Sequence, residues 1–371
     1  MVIETTAATT IGSKAPAGMI SSVSVVYLNT APLPGGTVIL PAPDPSTVSL
    51  DKIAVLRRST HGMPIDGYAA ALRERFPDRD VALARTRTEE EEVVGDADIV
   101  TSKGINEDLL ALADDLRLFA CYSAGYEHLP LDDLADRGIA VTNGSGIHAP
   151  NIAEHVIGNI LVFSRRFHEG WRRQRSHEWR HYRADELKGE TVTVVGLGAI
   201  GTATVERLEP FGVKTIGVRY TPEKGGPTDE VVGFESAGFE SALARTDYLV
   251  LTCPLTDTTA GLIGTAEFET LSPSSVLVNV ARGGVVGTEA LVDAVRDNEL
   301  RGAYLDVTDP EPLPKDHELW GFENVLITPH MAGHTPEYYE RCADILARNV
   351  VHVEECGDWT DLENQVVAPN L

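Results

Sequence analysis

The chain has 371 residues, 43% of them hydrophobic and 23% charged, which is long for one core and comfortable for two. A net charge of −25, from 56 acidic and 31 basic residues, argues against partners such as nucleic acid or anionic membranes. No apolar run approaches the roughly 20 residues that span a bilayer, and residues 1–20 lack the charged start and apolar segment of a signal peptide, so a soluble, cytoplasmic protein is expected.

Residues 1–50 are rich in Ala, Thr, Ser, Pro and Gly, with P-L-P-G-G at 32–36 and P-A-P-D-P at 41–45. Such clusters punctuate rather than pack, and a disordered extension is expected, with 23–28 its one candidate strand. From residue 51 short apolar runs recur at 53–57, 81–85, 98–101, 117–121 and 139–142, separated by helical stretches such as 67–76 and 106–113. This alternation predicts a parallel sheet covered by helices. A long helix is predicted over 152–166, with Asn151 as its N-cap and a domain boundary just before it. Residues 165–183 then carry seven arginines and three histidines against two acids, together with Trp171 and Trp179. This basic stretch suits an anion, a partner or acids of its own fold, or is a solvated helix and loop. A second alternating series follows at 191–195, 214–218, 248–252, 276–280, 303–306 and 325–328. Two open sheets in succession leave a cleft where ligands commonly bind.

The cysteines, Cys121, Cys253, Cys342 and Cys356, are scattered, so neither a metal cluster nor a redox pair is suggested, and a reducing compartment is. Only seven of the basic residues are lysines. Strong acidity with few lysines is the composition of proteins from salt-loving organisms, and a halophilic origin is expected.

Chemistry concentrates in the second series. Gly196-Leu197-Gly198-Ala199-Ile200-Gly201 follows the apolar run T-V-T-V-V and opens a helix, the context a dinucleotide-binding G-x-G-x-x-G requires. The glycines serve the tight turn, the approach to a pyrophosphate and the helix–strand packing, and the helix N-terminus offers unpaired N–H groups to phosphate. An NAD-binding fold usually places an acid after the next strand; here Arg219 stands there with Lys224 nearby, which suits a 2′-phosphate and favours NADP, with NAD possible. Three further strands are each followed by a chemically apt residue: Arg282, Glu311 (after Asp306) and His330. An arginine holds a carboxylate bidentately, a histidine exchanges a proton near neutral pH, and a glutamate beside it favours the imidazolium and fixes the ring.

V-V-G-L-G-A-I-G at 194–201, C-P-L-T at 253–256, N-V-A-R-G-G at 279–284, L-D-V-x-x-x-E-P at 305–312 and T-P-H-x-A-G at 328–333 occur in the order and spacing of the D-isomer-specific 2-hydroxyacid dehydrogenases, which the chain resembles over about 51–350. The resemblance implies an α/β architecture of two open parallel-sheet domains: a Rossmann-type cofactor domain, 151–334, inserted in a flavodoxin-like substrate domain made of 51–150 and 335–371. It implies hydride transfer between a nicotinamide cofactor and a 2-oxo acid or D-2-hydroxy acid, with Arg282 binding substrate, His330 the acid–base and Glu311 its partner. Cofactor contacts are implied at Gly196, Gly198, Ala199, Ile200, Gly201, Arg219, Cys253, Pro254, Val280, Arg282, Asp306, His330 and Gly333, with Asp306 on the nicotinamide side. Ser123-Ala124-Gly125 matches the turn whose N–H groups receive the substrate carboxylate, beside Arg282 and His330. The basic stretch matches a region that takes part in a homodimer. The chain departs from the family pattern in lacking the acid at 219 and in carrying Thr252 where many members have histidine. The same architecture serves phosphoglycerate, glyoxylate, hydroxypyruvate, formate and phosphite enzymes, and nucleotide-sensing co-repressor modules; Arg282, Glu311 and His330 argue against a purely binding role.

Overall fold

The computed structural model describes residues 50–60, 62–234 and 237–369. The expected extension and the candidate strand at 23–28 lie outside these residues, except that Leu50 is buried in the first core.

The first half runs β1 (Lys52–Val55), α1 (Ile65–Arg75), β2 (Asp80–Leu83), α2 (Arg87–Val94), β3 (Ile99–Ser102), α3 (Glu107–Leu110), β4 (Leu118–Cys121), α4 (Leu131–Asp136) and β5 (Ala140–Thr142). Two helices follow, α5 (Ala149–Ser164) and α6 (Phe167–Arg175). The second series comprises β6 (Thr191–Val195), α7 (Ala199–Leu208), β7 (Lys214–Val218), β8 (Glu230–Val232), α8 (Ala237–Leu243), β9 (Tyr248–Leu251), α9 (Thr265–Thr270), β10 (Val276–Asn279), α10 (Thr288–Arg296), β11 (Gly302–Leu305) and β12 (Val325–Ile327). The chain closes with α11 (Tyr338–Cys356) and β13 (Gln365–Val367).

These strands form two sheets. One has the order β13-β5-β4-β3-β1-β2, the flavodoxin-like order with an extra edge strand. The other has the order β12-β11-β10-β9-β6-β7-β8, a doubly wound arrangement that reverses between β6 and β9. Every residue of β3, β4, β9, β10 and β11 is buried, as expected of strands covered by helices on both faces. Helix α11 packs on α1 and carries the chain from the second sheet back to the first, where Tyr338, Tyr339, Ala343 and Leu346 join the core.

The structure departs from the sequence reading in four places. Asn151 is not an N-cap: α5 starts at Ala149, after His148. Pro150 explains the earlier start, since its fixed φ and missing N–H suit a first turn. Asn151 makes tertiary bonds instead, its Nδ2 donating to the Ala332 carbonyl at 2.8 Å and its Oδ1 accepting from Arg341 at 3.0 Å. The helix expected over 106–113 shrinks to α3, capped by Asn106, whose Oδ1 accepts from Leu109 N at 3.0 Å. Strands β8 and β13 were missed, because both are short edge strands, at most partly buried, without a distinct apolar run. Finally, β13 runs antiparallel to β5, so the first sheet is mixed at one edge.

Candidate active site

The crevice of an open α/β sheet lies beyond the C-terminal strand ends, where the strand order reverses. Here that place is the junction of β6 and β9. Gly196 follows β6 with φ +100°, and a Cβ there would lie 2.8 Å from the backbone of Cys253, beyond β9. A Cβ at Gly201 would meet the Gly196 carbonyl, whereas one at Gly198 would meet nothing within 4 Å. The turn is therefore closed against the protein and open on the side where the N-terminus of α7, Ala199 and Ile200, faces outward. A cavity of about 610 Å³ continues from it, lined by Gly196, Gly198, Arg219, Tyr220, Cys253 and Pro254 among others. Open space at Gly198 beside an uncapped helix start is what a pyrophosphate requires, so these residues fit a dinucleotide.

Thr252 supports the turn. Its hydroxyl faces the carbonyls of Gly196, at 2.7 Å, and Val195, at 3.1 Å, tying β9 to the glycine loop. Arg219 turns back on its own loop, donating to the Gly225 carbonyl at 2.6 Å, with the exposed Tyr220 next to it.

The strand order places β10, β11 and β12 side by side, so their C-terminal loops are neighbours. After β10, Asn279 shapes the loop: its Nδ2 donates to the Arg282 carbonyl at 3.1 Å and its Oδ1 accepts from Ala281 N at 3.0 Å. Val280 is buried beneath it. Arg282 is exposed, with Nη1 donating to the Ala281 carbonyl, and no carboxylate among the described residues pairs with it. A Cβ at Gly283 would lie 2.1 Å from the Thr308 carbonyl group, which shows how closely the Arg282 loop packs against the loop leading to Glu311. After β12, His330 Nδ1 lies 2.7 Å from Glu311 Oε1, with both side chains about half exposed.

Asp306 is only 3% exposed, and its carboxylate is occupied. It accepts from Thr328 Oγ1 at 2.5 Å and from the N–H groups of Met331 and Ala332 at 2.9 Å each. Within the protein these bonds hold the turn carrying His330. The carbonyl of Gly333, next in that turn, faces His148 Nδ1 at 2.9 Å.

Ser123-Ala124-Gly125 follows β4 on the other sheet. The carbonyls of Ser123 and Ala124 accept from Gly144 N and Asn143 Nδ2, while the N–H groups of Ala124 and Gly125 have no acceptor among the described residues. The structure thus brings His330 and Glu311 into contact, sets Arg282 on the neighbouring loop, and places the 123–125 turn after β4 in the other sheet. Sequence reasoning gave no role to His155 or Tyr304, which lie on α5 and β11 outside any motif, and read Asn151 only as a helix cap.

Residues 157–332 match the family described as D-isomer specific 2-hydroxyacid dehydrogenase, NAD binding domain. A glyoxylate reductase of Thermofilum pendens is 36% identical over 262 residues, covering 69% of this chain and 76% of the relative. The chain belongs to the D-isomer specific 2-hydroxyacid dehydrogenase family.

As a 2-hydroxyacid dehydrogenase it is an oxidoreductase with an NAD-binding Rossmann domain. A D-3-phosphoglycerate dehydrogenase of Methanocaldococcus jannaschii is 30% identical over 83% of this chain and 59% of its own. The crystal structure of a family protein from Aeromonas salmonicida superimposes with a TM-score of 0.68 at 28% identity, covering 86% of this chain and 99% of that one. No described helix of the dehydrogenase is long and apolar enough to cross a membrane.

A second cavity, about 740 Å³, lies away from this chemistry, lined by Arg165, Phe167, Arg173, Trp179 and Tyr182 among others. The basic stretch forms it. Arg172 and Arg173 pair with Glu169, and Arg172 also with Glu323, so part of the positive charge meets acids of its own fold. Trp171 is 52% exposed and Trp179 fully exposed.

Proposed function

We propose that this dehydrogenase interconverts a small 2-oxo acid and its D-2-hydroxy acid, with His330 as acid–base, Glu311 its partner and Arg282 the substrate anchor. The 2.7 Å His330–Glu311 pair, beside an exposed arginine with no described carboxylate partner, carries this reading. With Nδ1 turned to Glu311, Nε2 is the ring nitrogen left for substrate. Arg282 and the N–H groups of Ala124 and Gly125 would hold the substrate carboxylate from opposite sheet edges. Residues 51–150 with 335–371 then act as the substrate domain, and 151–334 as the cofactor domain.

The glycine turn with Arg219, Cys253, Pro254 and Val280 would hold a nicotinamide dinucleotide, which when bound would supply or take up the hydride at C2. In reduction, negative charge grows on the carbonyl oxygen and Arg282 stabilises it. His330 Nε2 gives its proton to that oxygen, while Nδ1–H stays on Glu311. Oxidation runs the same residues in reverse.

Arg219 and Lys224 at the rim of the cofactor cavity support a preference for NADP over NAD. Exposed Trp171 and Trp179 in an arginine-rich arm of an acidic protein support a homodimer through that arm. The net charge of −25 with few lysines supports a halophilic origin, and the free cysteines support a cytoplasmic location. The relatives named glyoxylate reductase make glyoxylate the first substrate to try. The test is the loss of reduced-nicotinamide absorbance with glyoxylate, hydroxypyruvate, pyruvate, 2-oxoisocaproate and 3-phosphohydroxypyruvate, under each cofactor. Turnover of a 2-oxo acid that disappears in His330→Ala supports the proposal, and turnover that survives it overturns the assignment.

A further inference from the structure

Behind the His330 turn lies a line of hydrogen bonds that the acid–base chemistry does not itself use. It begins at His155, a half-buried residue on α5, whose Nε2 bonds to the hydroxyl of Tyr304. Tyr304, on β11 and 1% exposed, bonds to Thr328 Oγ1. Thr328, just past β12, donates to Asp306 Oδ1 at 2.5 Å. Asp306 in turn accepts from Met331 N and Ala332 N. The His330 N–H donates to the Asp306 carbonyl at 2.8 Å.

The direction of each bond follows from counting hydrogens. The Thr328 hydroxyl has one hydrogen, given to Asp306, so its oxygen accepts from Tyr304. The Tyr304 hydroxyl hydrogen is then spent, so its oxygen accepts from His155, which must carry its proton on Nε2. Burial holds the His155 pKa below its ordinary value, favouring a neutral ring with a single N–H.

The His330 turn needs such support. His330 has φ +50°, a left-handed conformation that costs a non-glycine residue and persists only where its surroundings over-determine it. Asp306 supplies that determination on both sides of His330, and the orientation of its carboxylate depends on Thr328. Helix α5 also grips the far end of the turn, through Asn151 to Ala332 and His148 to Gly333.

We propose that His155 and Tyr304 are positioning residues for the acid–base, setting the His330 ring toward substrate through Thr328 and Asp306. The proposal rests on the reading of His330 as acid–base. Tyr304→Phe removes one oxygen and leaves the packing, and His155→Gln keeps an N–H donor that His155→Ala lacks. Loosening the turn misplaces one reacting group, so kcat falls at least about tenfold in Tyr304→Phe and His155→Ala, while the cofactor KM stays within about twofold. His155→Gln recovers most of the lost kcat. If Tyr304→Phe does not fold, the two His155 variants decide by themselves. A Tyr304→Phe kcat within about twofold of the parent, in an enzyme that His330→Ala inactivates, overturns the relay and leaves the acid–base assignment standing. A His155→Gln no better than His155→Ala overturns it as well. Turnover surviving His330→Ala defeats the underlying reading instead.

Discussion

Glu311 Oε1 lies 2.7 Å from His330 Nδ1, although the two residues sit on loops after different strands, β11 and β12. The contact uses Nδ1, and in the proposed mechanism Nε2 is the nitrogen that serves the substrate. His330→Ala is expected to lower kcat by on the order of 10²-fold or more, the contribution typical of a positioned acid–base group. Glu311→Gln keeps a hydrogen-bond acceptor but removes the charge, so a smaller loss is expected in steady-state kinetics. A Glu311→Gln enzyme as impaired as His330→Ala would mean that the carboxylate does more than orient the ring.

Arg219 lines the cavity beside the glycine turn, after the strand β7 where an NAD-binding fold usually carries an acid. NADPH is expected to give the higher kcat/KM, and Arg219→Asp to reverse or erase the preference, since it exchanges a phosphate partner for a hydroxyl acceptor. Measured ratios for the two cofactors that do not move in this variant would remove Arg219 from specificity.

Thr252 holds the carbonyl of Gly196, so Thr252→Val leaves that acceptor without its hydroxyl donor at nearly constant volume. A loss of about 1 kcal/mol is expected, visible as a several-fold rise in cofactor KM with kcat little changed. Unchanged cofactor affinity by fluorescence titration would show that the glycine turn is held adequately without this bond.

Desolvation by burial lowers the pKa of both His155 and His168 below the ordinary 6.5. Above about pH 6.5 both rings are neutral in the folded and unfolded chain, and their stabilisation is fully present. As the pH falls below that value the unfolded chain takes up protons that the folded chain resists, and stability is lost toward the folded pKa. The melting temperature should therefore drop as the pH falls below about 7, and His168→Gln should flatten part of the drop. A profile indifferent to that substitution would place the acid sensitivity elsewhere.

The arm at 165–183 leaves Trp171 half exposed and Trp179 fully exposed. Light scattering is expected to report a dimer in molar salt, and replacing both tryptophans with alanine should weaken it. The melting temperature should also rise from about 0.01 M to molar salt as self-repulsion is screened. A monomer at all concentrations would dispose of the dimer, and a flat salt profile would make this an ordinary acidic protein.

Local pattern carries a great deal in this chain. The runs at 191–195 and 214–218 coincide with β6 and β7, short apolar-rich stretches that are buried beyond their first residue and bounded by turn residues. Gly196, Arg282, Glu311 and His330 were legible for the same reason: each follows a strand at the edge where ligands bind, and backbone or charge demands leave few residue types that will serve there.

The rest was decided by tertiary structure. Strand β13 finds its place only by pairing with β5, more than 200 residues away in the sequence. Nothing local distinguishes Asn151, which reads as a helix cap, from the residue that grips the Ala332 carbonyl. Asp306 sits in a family motif, yet its grip on the His330 turn needs Thr328, Met331 and Ala332, which reach it only once β11 and β12 lie side by side. A period of two or 3.6 residues reports which face of an element is buried; the partner of a buried polar atom is set by what the fold packs against it, and that information is spread over distant segments of the chain.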